Sequence, residues 1–213
     1  MNGAPPTVFI VDDDHAVLKS LARLLWSARL NVATFASPRE FLDAHDPGKP
    51  GCLLLDISMP GVNGLELQQA LARMGSATPI VFITGHGDIP TSVNAMKRGA
   101  IDFLTKPVDD QALIEAVQRG LEKDRATRET NGKVRDVRSR MATLTPRERE
   151  VLARVVAGKL NREIAVELGI AEKTIKVHRG RVMEKMHAAS LADLVRQAEL
   201  AGSHGAPETN DGI

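Results

Sequence analysis

The chain has 213 residues, 43% of them hydrophobic and 26% charged, and a formal net charge of +1. This composition is ordinary for a globular protein of one large or two small domains and names no function. A single cysteine, Cys52, excludes an internal disulfide framework and a cysteine-built zinc site. No apolar run approaches the about 20 residues needed to span a bilayer, and the opening residues lack a basic and apolar leader, so the expected location is the cytoplasm. The charge is uneven. Through Arg125 there are 12 basic and 15 acidic residues, and beyond it 16 and 12, so the two parts carry −3 and +4. A cation-attracting first half and an anion-attracting second half are expected.

From Thr7 to about Lys123 strand and helix patterns alternate. Strands are predicted near residues 7–11, 31–35, 52–55, 79–83 and 101–105, as short apolar runs bounded by Pro, Gly and polar residues. Val17, Leu21, Leu24 and Leu25 mark a first helix face, while Ser37, Pro38 and Glu40 supply a cap, a proline start and a capping-box acid for a second. Leu65, Leu71 and Met74 mark a third helix, and Val93 and Met96 a fourth that Gly99 ends. Five βα units of this length predict a doubly wound parallel sheet with helices on both faces.

A long helical pattern starts beyond Pro107 with Leu113, Ile114, Val117 and Leu121. It becomes densely charged from Glu122 to Arg140, which reads as a solvated linker helix over 124–143 interrupted at Asn131 and Gly132. The second module starts at Thr145-Pro146-Arg147-Glu148, with Thr145 as cap, Pro146 in the first turn and Glu148 closing the box. Val151, Leu152, Val155 and Val156 form its apolar face. A short helix with Ile164, Ala165 and Leu168 ends at Gly169, a basic helix runs from about Glu172 to Met186, and a fourth begins after Ser190. Helix, glycine-bearing turn and basic helix spell helix-turn-helix. The small polar tail from Gly202 is expected to be disordered.

The strand ends carry the chemistry. The first apolar run ends in Asp12, Asp13 and Asp14, the third strand in Asp56, the fourth in Thr84 and the fifth in Lys106. In a doubly wound sheet these ends face one ligand crevice. Carboxylates that close together favour a hard cation with oxygen ligands, Mg2+ first and Mn2+ second. Lys106, aimed from an extended segment before Pro107 that can take a cis bond, suits the equatorial oxygens of a transferred phosphoryl group. Asp14 is equally readable as a helix cap.

These residues, together with Asp56-Ile57-Ser58-Met59-Pro60-Gly61 and Asn63-Gly64, make residues 1–123 resemble a two-component receiver domain. The resemblance implies a (βα)5 flavodoxin-like fold, with Asp56 as phosphoacceptor, Thr84 and Phe103 as the switch pair, and Lys106 as the charge-balancing lysine. It also implies metal ligation by Asp13, Asp56 and the backbone carbonyl of Ser58, with Asp12 joining through water. Phe103 also reads as plain core. The loop Gly85-His86-Gly87-Asp88-Ile89-Pro90 resembles the FixJ branch, where His86 is either a modulator of dephosphorylation or a solvent-facing loop residue.

Within an expected DNA-binding domain over 144–201, the stretch from Leu144 to about Ala198 resembles the all-α LuxR-type helix-turn-helix of the NarL/FixJ family. The match rests on Leu144-Thr145, Arg147-Glu148, Glu150-Val151-Leu152, Gly158, Asn161, Ile164-Ala165, Leu168, Thr174-Ile175-Lys176, His178-Arg179 and Lys185. It implies that the helix from Glu172 enters the major groove of double-stranded promoter DNA. Lys176 and Val177 are assigned to groove contact, Lys173 and Arg181 to the same or an adjoining face, and Thr174, His178 and Arg179 to phosphate contact or packing. Ala171 replaces a frequent capping serine, and Gly180 offers no side chain to a base.

The implied function is a cytoplasmic, phosphorylation-controlled transcription regulator, not an enzyme beyond its own phosphorylation and dephosphorylation. Implied partners are a sensor histidine kinase, promoter DNA, RNA polymerase and a second copy of the chain meeting across Ile89 to Phe103, with no membrane. A constitutive DNA-binding regulator with a non-phosphorylated receiver is the alternative, although such receivers usually lose the acidic pair, the acceptor or the lysine. An aspartyl-phosphate phosphatase would want an aspartate where Ser58 stands.

Overall fold

The structure, a computed structural model, describes residues 5–85 and 89–203. It divides into two compact units, through Arg128 and from Glu129. In the first unit the strands β1 (Thr7–Val11), β2 (Asn31–Phe35), β3 (Gly51–Asp56), β4 (Ile80–Thr84) and β5 (Asp102–Thr105) alternate with the helices α1 (His15–Ser27), α2 (Pro38–Ala44), α3 (Gly64–Arg73), α4 (Ile89–Lys97) and α5 (Asp110–Ala142). The described strands form one all-parallel sheet of order β2-β1-β3-β4-β5.

Strand alternation divides the core into two layers. Cys52, Leu54, Val81 and Ile83 join α1 and α5 on one face. Leu53, Leu55, Ile80 and Phe82 join α2, α3 and α4 on the other. Every residue of β3 and β4 is therefore buried, whereas the edge strands β2 and β5 are mostly half-buried.

Local chemistry sets the helix starts. Asp14 caps α1 by accepting from the N–H groups of Ala16 and Val17. Ser37 caps α2, and Glu40 reaches back to the N–H of Ala36 at 2.7 Å. Asn63 and Glu66 form a full capping box at α3. Gly99, just beyond α4, has φ +86°, a conformation that other residues rarely adopt.

Several expected helix faces are rotated. α1 buries Leu18, Leu21, Ala22 and Leu25, with Val17 and Leu24 only at the margin. α3 buries Leu67, Gln68 and Leu71 and leaves Met74 exposed. Among the described side chains of α4, Ala95 is buried, while Val93 and Met96 are each 44% exposed. Each helix has apolar residues on more than one side, and contact with the sheet, not their number, decides which side is covered.

The linker pattern also needs correction. α5 runs unbroken through Asn131 and Gly132 to Ala142. An interior glycine disfavours a helix by only about 1 kcal/mol relative to alanine, which flanking turns can absorb.

The second unit contains the end of α5 followed by α6 (Pro146–Val156), α7 (Asn161–Leu168), α8 (Glu172–Lys185) and α9 (Leu191–Ser203). Its core joins Val137 and Leu144 to Val151, Val155, Ile164, Ile175, Val182, Met186 and Leu194. Gly169 ends α7 in the left-handed region with φ +64°, and Ser190 accepts from the N–H of Asp193 at 3.1 Å. α9 extends through Gly202 and Ser203, two residues into the expected tail, and residues 204–213 lie outside the described residues.

Thr145 and Glu148 close the predicted capping box at α6. Glu148 is almost fully buried and also accepts from Lys185 Nζ at 2.6 Å. The Lys185 bond first, then the Thr145 N–H, hold its carboxyl below the usual range. A depressed carboxylate adds stability above its ordinary value of 4.5 that disappears as pH falls through and below it. Glu148→Gln is expected to cost about 1–2 kcal/mol at pH 7 and to flatten the acid limb of unfolding of this unit, read by thermal melts from pH 7 to 3. An unchanged acid limb would exclude Glu148 as its source.

Candidate functional site

The first site lies at the carboxyl ends of β1, β3, β4 and β5. Parallel pairing sets Asp56 beside Ile83 and Thr84 beside Thr105. Lys106 then follows β5, its N–H donating to the Thr84 carbonyl at 2.7 Å. The Lys106–Pro107 peptide bond is cis. Lys106 Nζ lies 2.7 Å from Asp12 Oδ2 and 2.9 Å from Asp56 Oδ1, so one ammonium bridges two carboxylates that are almost completely buried.

Asp12 also accepts from the N–H of Asp14 at 2.9 Å. Burial pushes the Asp12 carboxyl above the usual carboxylate range, and the Lys106 hydrogen bond only partly offsets this. Burial draws the Lys106 ammonium down, but its bonds to Asp12 and Asp56 outweigh that and hold it above the usual lysine value. Two buried carboxylates share one cation, so the centre remains net negative and suits a further hard cation.

Asp13 and Ser58 stand exposed on the rim. Among the described residues, no three acidic, histidine or cysteine side chains are grouped to hold a metal, so ligation would rest on fewer carboxylates with carbonyl and water oxygens, a pattern Mg2+ accepts. Thr84 is fully buried at the end of β4. Phe103 is half-buried and packs at the margin of the α2–α4 layer. Its position accommodates both the switch and the core reading. The loop position His86 lies outside the described residues.

The second site is the outer face of α8. Ile175 and Val182 point into the core, which leaves Lys173, Thr174, Lys176, Val177 and Arg181 exposed. Ala171 gives α8 no side-chain cap. Arg179 is half-buried and donates to Asn161 Oδ1 at 3.0 Å, bracing α8 against the start of α7. Packing is therefore what the geometry supports for Arg179, and the brace was invisible in sequence because its partners lie 18 residues apart. His178 is half-buried, and its Nδ1 has no hydrogen-bond partner among the described residues. Lys176 Nζ sits 3.4 Å from Glu172 Oε1, an acid on this basic helix whose i,i+4 spacing is legible in the sequence.

A carboxylate rim on a flavodoxin-like sheet, followed by a helix-turn-helix with an exposed basic helix, defines a two-domain class in which a receiver is joined to a DNA-binding module. Residues 8–118 match the response regulator receiver domain family, and residues 142–198 match the bacterial regulatory proteins of the luxR family. Nodulation protein W of Bradyrhizobium diazoefficiens is 49% identical over 92% of this chain and 86% of its own. Transcriptional regulatory protein FixJ of Azorhizobium caulinodans is 47% identical over 92% of each. A solved structure of the response regulator StyR aligns with a TM-score of 0.83 at 47% identity, covering 92% of this chain and 99% of that one. The chain belongs to the two-component response regulators of the NarL/FixJ family.

Proposed function

We propose that this chain is a phosphorylation-dependent transcription regulator in which Asp56 accepts a phosphoryl group from a sensor histidine kinase and α8 reads promoter DNA. The observation that carries the reading is the Asp12–Lys106–Asp56 bridge at the sheet rim. In the working division, residues 1–123 are the receiver, 124–143 the linker, 144–201 the DNA-binding module and 202–213 a tail.

An Asp56 carboxylate oxygen attacks the phosphorus of a phosphohistidine, the phosphorus–nitrogen bond breaks, and the donor imidazole leaves. Lys106 stands where charge builds on the phosphoryl oxygens, so the chain contributes positioning and charge balance, which is most of what phosphoryl transfer requires. Asp13, Asp56 and the Ser58 carbonyl would hold Mg2+ or Mn2+, with Asp12 joining through water, and the bound ion would neutralise phosphoryl charge. An apolar groove beside Lys106, lined by Val17, Leu21, Pro107 and Val108, gives a protein donor a surface to dock on.

Phosphorylated Asp56 adds charge that the Thr84 hydroxyl can meet, freeing space for Phe103 to turn and shifting a population between two states. The exposed pair Val93 and Met96 supports homodimer contact on the α4–β5 face. A dimer presents two α8 helices to paired half-sites, so the second contact forms at high effective concentration. Lys173, Thr174, Lys176, Val177 and Arg181 face the DNA, His178 lies at the margin, and RNA polymerase is a further partner. Among the described residues no helix is long and apolar enough to cross a membrane, and the cytoplasm is the proposed location.

The DNA arm is tested by titrating a phosphorylated full chain against selected promoter fragments across salt concentrations. Lys176→Ala is expected to cost about 1–3 kcal/mol and to lower the salt slope by about one ion. Equal affinity at every salt concentration would remove α8 as the reader.

A further inference from the structure

Between Leu121 and Val134 the linker part of α5 has one apolar side chain, Ala126. Hydrophobic burial therefore does little to hold this stretch to the receiver. Polar groups do it instead. Asp124 is 4% exposed, and its Oδ2 accepts from the N–H of Gly51, the first residue of β3, at 3.0 Å. Arg128 Nε lies 2.9 and 2.8 Å from the two Asp124 oxygens. Its remaining nitrogens donate to three carbonyls of the loop before β3, Gly48 at 2.9 Å, Pro47 at 3.1 Å, and Lys49.

The receiving surface is stiff. A Cβ at Gly51 would lie 2.1 Å from the Thr7 carbonyl oxygen and 2.7 Å from the Phe9 ring, so backbone packs directly on backbone there. β3 is buried along its whole length, with Asp56 at its other end. A planar guanidinium that grips a buried carboxylate and three carbonyls fixes direction as well as distance. Past Arg128 come Asn131 and Gly132, two weak helix formers, and at Gly132 a Cβ would meet nothing within 4 Å. The boundary between the two compact units falls directly after Arg128.

We propose that Asp124 and Arg128 are positioning residues for signal output: they make α5 part of the receiver as far as Arg128 and place the compliant point of the linker at Asn131–Gly132. A receiver dimer then holds its two linker arms in a defined direction, which sets the spacing at which two DNA-binding modules are effectively concentrated. The spacing consequence rests on the phosphorylation-dependent DNA reading above, whereas the clamp itself does not.

The test uses the full chain, Arg128→Lys and Asp124→Asn. Lysine keeps a charge for Asp124 but cannot span three carbonyls, and asparagine keeps an acceptor for Gly51 without the charge. In hydrogen exchange without phosphate donor or DNA, residues 122–128 of the parent chain are expected to exchange slowly and residues 130–134 faster. Each variant is expected to speed exchange at 122–128 by about tenfold, with the β3 and β4 core unchanged. Exchange in the parent as fast at 122–128 as at 130–134 would overturn the clamp.

After acetyl phosphate treatment, the parent is expected to prefer half-sites at their selected spacing over the same sites with five base pairs inserted. The variants are expected to take up phosphate and dimerise like the parent, yet bind the selected spacing about tenfold more weakly and lose the spacing preference. A variant with a loosened 122–128 segment and an unchanged spacing preference would overturn the positioning role. Because the exchange arm needs neither phosphate nor DNA, a failure of the phosphorylation reading leaves it standing.

Discussion

Asp56→Asn is expected to abolish Mg2+-dependent labelling of the chain by acetyl phosphate. The carboxylate is almost fully buried at the end of β3, with Lys106 2.9 Å away. Asparagine has nearly the same shape and still offers Lys106 an oxygen, but its neutral amide is not a nucleophile toward phosphorus. Folding is expected to be preserved to within about 1 kcal/mol, because Asp12 remains as the ionic partner of Lys106. Loss of chemistry without loss of fold is the signature of an acceptor. Intact-mass measurement of the phosphorylated fraction, with a melt of the same sample, reads both. Undiminished acid-labile label on a folded Asp56→Asn chain would move the acceptor elsewhere.

Lys106→Ala is expected to damage both fold and chemistry. The ammonium bridges Asp12 and Asp56, and its removal leaves two buried carboxylates facing one another. Breaking a buried pair costs about 3–5 kcal/mol; because the lysine side chain is 25% exposed, about 2 kcal/mol is the better figure. Without the lysine, burial acts on Asp12 with its main offset gone, so the folded-state carboxyl rises further above its unfolded value. A raised carboxyl binds protons more tightly in the folded state, and the variant therefore loses stability as pH rises from the ordinary carboxylate value upward. The deficit relative to the parent should be smaller near pH 5 than at pH 8, as measured by denaturant melts at both. The rate of phosphorylation is expected to fall by about 10²-fold or more, as when one fixed donor to developing charge is removed. Parent-like labelling kinetics would exclude Lys106 from the transfer.

The strands and the caps were legible because each depends on neighbours close in sequence, and the rim because parallel topology brings distant strand ends to one edge. Thr145 and Glu148, or Asn63 and Glu66, sit within one turn, and four strand ends in a parallel sheet share one edge whatever the details of packing. Helix faces were less legible. Val93 and Met96 look like core in a period-3.6 pattern, yet Ala95 is the residue buried beside them. Continuity of α5 through Gly132 was hidden for another reason: glycine lowers helix stability by an amount that local rules can gauge, while the grip of Asp124 and Arg128 on Gly51 and the loop before it, 73 to 81 residues away, has no local trace. The Arg179–Asn161 brace belongs to the same class.

The roles of the two sites are joined by one claim, that phosphate on Asp56 controls DNA binding by α8. Its most direct test is the affinity of the full chain for a fragment selected from genomic DNA, measured with Mg2+ in the presence and absence of acetyl phosphate, beside Asp56→Asn. Acetyl phosphate is expected to tighten binding by the parent chain and to leave the Asp56→Asn chain at the untreated level. Tight binding by the untreated parent, equalled by Asp56→Asn and unmoved by acetyl phosphate, would contradict it and identify a constitutive regulator.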